Sequence, residues 1–510
     1  MKKEDILQDF IQCAKKYYKA TNKYSLPRAV YRLHTKVSEN LVRKFFGNFT
    51  NLKTEADKIL NQKIRLNTEI NSECKSKYGR YIISSIVEGA PINKNFFNAI
   101  KTYAELNNAK ILLLWSRGVQ NYHKFNDFEL EEYKDYLVTS YKFNNNLEAK
   151  DFLIHPAQIL PLTGLERFGS KSTSIIVAST KQMLLSIPRP QNSTPHLVCS
   201  TGTISVPNYS KTRAGALAIQ DNNLSALVVE IENDTKFFIR PIEWINNCFV
   251  DLGVKYTKDS AEKCECEAMI FGDLHLTEEN ETAVKMSIEQ ANYLKAKKIF
   301  IHDVISLNSI SSFITNKYLG HVLIPTEYNT LEKELEYSRN KLNEIKNQLI
   351  YSKLIIVKSN HDTRLFDYCD KGLFLQDTQN TILGAECFID FVKHINPIEK
   401  YFNMNDVTFL KKDESCKIKN IECGEHGHEG ANGSKGNIMS YRQTHDKTFI
   451  GHSHSPKIIG DIWQVGTLSN LKLSYVKGAS SWLHANGVIY ENGGRQMIIW
   501  VNNTWKLEVK

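Results

Sequence analysis

Between residues 266 and 454 the chain repeats one pattern five times: an apolar stretch that breaks off at a short polar cluster. Ala268-Met-Ile-Phe-Gly runs into Asp273-Leu-His275, and Ile299-Phe-Ile into His302-Asp303. Leu354-Ile-Ile-Val leads to Asn360-His361-Asp362, Ile418-Lys-Asn-Ile to His426-Gly-His428, and Thr448-Phe-Ile-Gly to His452-Ser-His454. A short apolar run bounded by turn residues reads as a buried strand. Helical patterns separate the first three: Glu278–Lys298, then about 327–351 with Leu331, Leu335, Leu342, Ile345 and Leu349 on one face. Strand, cluster and helix in alternation predict an α/β fold. Sites in such sheets form beyond the C-terminal ends of the strands. Groups as distant in sequence as Asp273 and His454 are therefore expected on one rim.

The residue types narrow the chemistry. Two Asp, an Asn and four His make a mixed oxygen and nitrogen set without thiolate. That set suits two Mn, Fe, Zn or Mg ions rather than a structural zinc. The carboxylate of Asp303 can bridge two ions about 3.5–4 Å apart, the spacing useful for displacement at phosphorus. Any one cluster is weak, since a lone His more often completes a core. Five in order resist that explanation, because burying so many Asp and His without an ion leaves polar groups unpaired. The fourth cluster offers both His426 and His428. His426 is preferred because it follows the strand directly and Gly427 lets the chain turn.

In this order the clusters resemble the pattern of the calcineurin-like metallophosphoesterases: D-x-H, G-D-x-x-D, G-N-H-D/E, H, and G-H-x-H. The resemblance spans about residues 265–480. It implies a metallophosphoesterase β-sandwich flanked by helices, with two divalent ions, manganese foremost. One ion would sit on Asp273, His275 and His454, the other on Asn360, His426 and His452, with Asp303 between them. It also implies a metal-bridging hydroxide as nucleophile, His361 as the acid–base group at the leaving oxygen, and Asp362 orienting His361. His302 stands where the family usually has Gly, Ser306 at the second Asp of that motif, and Ser359 at the Gly before Asn360. None of these removes an expected ligand. Lys435, Arg442 and Arg364 are candidates for contacting phosphate.

Charge and histidine are distributed unevenly. Residues 1–80 hold 18 Lys+Arg and 8 Asp+Glu, a net of +10, so the remaining 430 sum to −1 in a chain of +9. Four of the 15 His precede residue 270 and eleven follow it. The basic head reads as short helices: 3–19, Arg28–Leu33, Glu39–Phe46 with Ser38 as N-cap and Gly47 as stop, and about 51–60. Arg28, Arg32, Lys36, Arg43 and Lys44 lie between apolar anchors there. That arrangement fits a helix-turn-helix whose cations contact DNA phosphates. Residues 81–258 read as an α/β segment of unassigned role, opening with Tyr81–Val87, the helix Asn93–Asn107 and the strand from Lys110. Pro188–Tyr209, rich in Pro, Ser, Thr and Asn, reads as a long loop.

No run of about 18 apolar residues exists, and the N-terminus lacks a signal-peptide core. Ten Cys without a Cys-x-x-Cys pair support neither a zinc ribbon nor a disulfide framework. The expected organisation is a helical DNA-binding domain at 1–80, an α/β domain at 81–258 and the metallophosphoesterase domain at 259–510. The expected function is a Mn-dependent DNase in the cytoplasm, the host's if phage-encoded. Such a chain resembles SbcD-like nucleases and tailed-phage proteins that degrade DNA. It is compatible with a homo-oligomer. The alternatives are a metal-dependent protein or small-molecule phosphatase, and a DNA-binding or assembly protein with a structural metal site.

Overall fold

Alternating apolar residues place the strands of 266–409 between two layers. In a computed structural model, Cys266–Ile270, Lys298–Ile301, Lys353–Ile356 and Val407–Phe409 lie side by side in parallel. Ala485–Tyr490 and Arg495–Ile499 extend this sheet antiparallel to six strands. Residues 2–21, 26, 28–56, 79–87, 89–116, 131–152, 154–168, 173–190, 194–312, 324–443, 447–473 and 476–507 are described. Met269, Ile299, Ile301, Leu354 and Ile356 face the helices Glu281–Leu294 and Leu331–Gln348. The second of these helices buries the expected stripe, Leu331, Leu335, Leu342 and Ile345. Residues one place out of phase, Ala268, Ile270, Phe300 and Ile355, point to the opposite core.

That opposite core changes the expected division of the chain. A ten-stranded sheet carries the strands before the fourth and fifth clusters, Ile421–Glu422 and Thr448–Ile450. Its strand Lys457–Ile459 pairs antiparallel with Met183–Ser186, register Ile458↔Leu184. Leu197–Ser200, Ser174–Val177, Leu147–Lys150 and Ser140–Lys142 follow outward. A boundary at 258/259 therefore does not separate two cores: Leu184 and Cys199 share one with Phe449 and Trp463. The physical reason is edge pairing. Lys457–Ile459 would otherwise present unpaired N–H and C=O groups. The expected loop at 188–209 likewise contains a strand, Leu197–Ser200, buried at every position. Its short Leu-Val-Cys run was hidden by the turn-forming residues around it.

A five-stranded sheet and a small three-stranded one join the body. Arg80–Val87 and Ala109–Ser116 are parallel, with helix Lys94–Asn107 between them in sequence, as the β-α-β reading predicts. Ser225–Ile231 and Phe237–Glu243 add antiparallel strands. Buried ion pairs tie this sheet to the C-terminal strands. Arg495 donates to Glu243 at 2.9 and 3.2 Å and lies 4.6 Å from the Trp463 ring centre. Arg240 pairs with Glu230 at 2.7 Å and Asp251 at 2.8 Å, and Gln496 donates to the same Asp251 at 2.9 Å.

At the N-terminus, helices Lys3–Thr21, Arg28–His34 and Glu39–Phe46, with helical turns over 49–56, pack around Ile6, Phe10, Tyr31, Val42, Phe46 and Leu52. The Ser38 side chain accepts from Leu41 N, and Gly47 closes the third helix at φ 76°. Thus the described part comprises a small helical unit and a mixed α/β body. No described helix is long and apolar enough to cross a membrane. On and around helix Thr381–Val392, the apolar residues Phe366, Leu375, Ile382, Ile389 and Val392 are exposed.

Candidate metal centre

The five clusters meet where the two large sheets end. Asp273 and His275 follow Cys266–Ile270, and His302 and Asp303 follow Lys298–Ile301. Asn360 opens the helix after Lys353–Ile356. His426 arrives after Ile421–Glu422, and His452 and His454 after Thr448–Ile450. The backbone is held tightly here: His275 N donates to Asp303 O at 2.7 Å, Gly451 N to His426 O at 2.8 Å, and the Thr467 hydroxyl to Asp273 O at 2.9 Å. His275 (φ 52°), Asp303 (44°), His452 (74°) and His454 (59°) all adopt the left-handed conformation. Each such non-glycine residue costs on the order of 1–3 kcal/mol, and such strain gathers at functional sites.

Side chains converge within hydrogen-bonding range. The Nε2 atoms of His275 and His454 are 2.8 Å apart. His454 Nε2 lies 3.2 Å from Asp273 Oδ2, and His275 Nε2 lies 3.5 Å from Asp303 Oδ2. On the other side, His426 Nε2 is 3.1 Å from Asp303 Oδ2 and 2.9 Å from Asn360 Oδ1, which His452 Nδ1 approaches at 3.0 Å. Three sets could hold a metal ion: Asp273, His275, Asp303 and His454; Asp273, His302 and His426; and Asp303, His426 and His452. Asp303 belongs to the first and third of these sets. Space is cut close: a Cβ on Gly451 would fall 2.2 Å from Asp273 Oδ1.

The donors fit a cation. Asp273 Oδ1, Asp303 Oδ1 and the Nδ1 atoms of His275 and His454 are buried without a hydrogen-bond partner. Unpaired buried oxygens of this kind cost free energy unless something charged satisfies them. Burial disfavours the Asp303 carboxylate, yet His426, His361 and His275 around it outweigh burial and hold it well below the usual range. Burial likewise pulls on His426, but Asp303 prevails and holds its imidazole up at about 9. His275 is pressed well below its ordinary value, by burial first and His361 next.

The remaining expected residues divide. His361 is buried, with Nδ1 3.2 Å from Ile305 O and Nε2 2.9 Å from Arg364 Nη2. Its ring lies 4.5 Å from that of His275. Asp362, expected to orient His361, instead accepts from Ser359 N (2.8 Å) and Ser359 Oγ (3.3 Å), closing a capping box on helix Asn360–Asp370. Ser at 359, where the family pattern has Gly, supplies that cap. His428 lies aside, half-buried, its Nε2 3.8 Å from Glu429 Oε1; His426, not His428, is in the groups that could hold a metal ion. Of the phosphate candidates, Arg364 reaches the site, anchored to Ser306 O at 2.6 Å. Arg442 is engaged by Asp221 at 2.8 Å, and Lys435 is exposed.

Two further neighbours border the site, His302 of the second cluster and Trp482, which the sequence did not mark. His302, fully buried, sets Nδ1 3.4 Å from His426 Nδ1. Trp482 packs edge-on against His454, centroids 4.1 Å apart; nothing in its sequence surroundings signals this. In the helical head, Arg28 and Arg32 both pair with Glu39. Lys36, Arg43 and Lys44 are exposed and carry no carboxylate partner among the described residues.

This chain is similar to Protein A1 of Escherichia phage T5. The two are 27% identical over 467 residues, which cover 83% of this chain and 82% of that protein. No family model matches the chain.

Proposed function

We propose that this chain is a phosphodiesterase that uses two divalent ions, manganese foremost, to hydrolyse DNA. The observation that carries the reading is the convergence of Asp273, His275, Asp303, Asn360, His426, His452 and His454, with buried carboxylate oxygens left unpaired. Asp273, His275 and His454 would hold one ion, Asn360, His426 and His452 the other, and Asp303 both. Ions bound there supply Lewis acidity and a nucleophile at neutral pH.

The protein's own groups do the rest. His361 donates its Nδ1 proton to Ile305 O, and its Nε2, which accepts from Arg364, would take up a proton from solvent before passing it to the leaving oxygen. Arg364, already at that Nε2, offers a guanidinium for a phosphate oxygen beside it. The strained, hydrogen-bonded loops fix the donors before substrate arrives, so little reorganisation is needed.

DNA as substrate rests on the net +10 of residues 1–80. The short connection 35–38 between helices Arg28–His34 and Glu39–Phe46 suits a helix-turn-helix. Within it Lys36, Arg43 and Lys44 are the strongest phosphate contacts, while Arg28 and Arg32 would first release Glu39. The phage origin of Protein A1 supports action in a host cytoplasm. The test is digestion of plasmid and linear DNA by the purified full chain. Cleavage is expected with Mn²⁺, none with EDTA, and none by Asp303→Ala. Cleavage that survives EDTA or Asp303→Ala rejects the reading. Hydrolysis of phosphomonoesters with DNA left intact selects the phosphatase instead.

A further inference from the structure

A cavity of about 630 Å³ lies against the metal centre. One wall is shared with it. Trp482 touches His454, Leu483 N donates to His454 O at 3.2 Å, and His484 Nδ1 donates to the carbonyl of Thr467, whose hydroxyl holds Asp273 O. The opposite wall comes from the segment before Leu197–Ser200: Arg189, joined to Ser480 by main-chain hydrogen bonds of 2.9 Å in both directions, and the buried His196. Trp500 closes the cavity, 5% exposed, with its indole N–H unpaired. Lys472 stands exposed on the rim without an ion-pair partner among the described residues.

Size and lining select the occupant. Cavities of about 300–1,000 Å³ take one small molecule or a single nucleotide, not a duplex. Two cations beside aromatic surface suit an unpaired nucleotide, its phosphate paired and its base stacked. We propose that this cavity seats an unpaired nucleotide of the DNA strand next to the phosphodiester to be cut. The chain then prefers single strands and frayed ends over closed duplex. This rests on the phosphodiesterase reading, and it gives residues 187–190 and 194–196 a role: they build the cavity wall facing Trp482 and Trp500.

The experiment titrates the full chain, in EDTA, with a labelled oligothymidylate about four nucleotides long. Arg189→Ala and Lys472→Glu are expected to weaken binding on the order of ten-fold each. Lys472 is exposed, so its variant tests the cavity without disturbing the fold. With Mn²⁺, the ratio of kcat/KM on a single strand to that on bis(p-nitrophenyl) phosphate is expected to fall by a similar factor in both variants. Wild-type binding by both variants overturns the assignment, as does wild-type protein cutting covalently closed duplex as fast as single strands. Absence of hydrolysis on either substrate by the wild type rejects the phosphodiesterase reading instead, and the binding result still judges the cavity.

Discussion

Gly451 shows how narrow the site's tolerances are. It lies between Ile450 at the end of its strand and His452, and a methyl group there would meet Asp273 Oδ1 at 2.2 Å and His302 Cγ at 3.2 Å. Both neighbours are fully buried and cannot withdraw. Gly451→Ala is therefore expected to abolish or greatly weaken Mn²⁺ binding by displacing Asp273. Isothermal titration checks this, and wild-type affinity in the variant would count against the packing described. His361 makes the complementary case. His361→Ala is expected to retain bound metal while kcat on DNA falls about 10²–10⁴-fold, the usual worth of a positioned acid–base group. Metal analysis beside steady-state rates separates the two effects. The convergence of these Asp, Asn and His groups was legible from sequence because each follows an apolar run. The work of Asp362 was not: one carboxylate can orient a ring or cap a helix, and only the placement of Ser359 decides.

At the scale of the element, caps and strands set the positions of these groups. Helix Asn360–Asp370 begins at the site, and its first turn carries Asn360 and His361. Ser359→Ala removes the hydroxyl half of the capping box. A stability loss of about 1 kcal/mol is expected by denaturant titration. Strands Ser225–Ile231 and Phe237–Glu243 carry a pH-dependent pair. Burial pushes the Glu230 carboxyl up, but Arg240 outweighs it and holds the group at about 2 against an ordinary 4.5. A depressed carboxyl stabilises the fold above its unfolded value, and the contribution is lost as pH falls from 4.5 towards 2. The loss, about 3 kcal/mol, is expected in unfolding midpoints measured across that range and should be much reduced in Glu230→Gln. Elements with a strong period were legible, as in helix Leu331–Gln348. Strand Leu197–Ser200 was not, because three apolar residues among Pro, Ser and Thr give no period to read.

Across the whole molecule, the ten-stranded sheet makes one body of segments that composition alone would separate. The pairing of Lys457–Ile459 with Met183–Ser186, and the Arg495–Glu243 pair, join residues far apart in sequence. Local patterns cannot reveal such long-range pairing. Charge and histidine counts mark the head and the site but not which strand edges meet. Glu243→Ala removes the carboxylate that Arg495 meets at 2.9 Å and leaves it only the more distant Asp461 at 3.6 Å, a loss expected to cost up to about 3–5 kcal/mol. Residues 80–507 are expected to unfold in a single calorimetric transition, shifted to lower temperature in this variant. Two separate transitions, with only one shifted, would contradict a shared core.

Seven side chains from both large sheets would form one dinuclear site around Asp303. That arrangement is tested most directly by metal stoichiometry: elemental analysis of the full chain equilibrated with Mn²⁺ and desalted, wild type beside Asp303→Ala. Two ions per wild-type chain and at most one in the variant are predicted. No bound metal in the wild type, or an unchanged two in Asp303→Ala, would contradict it.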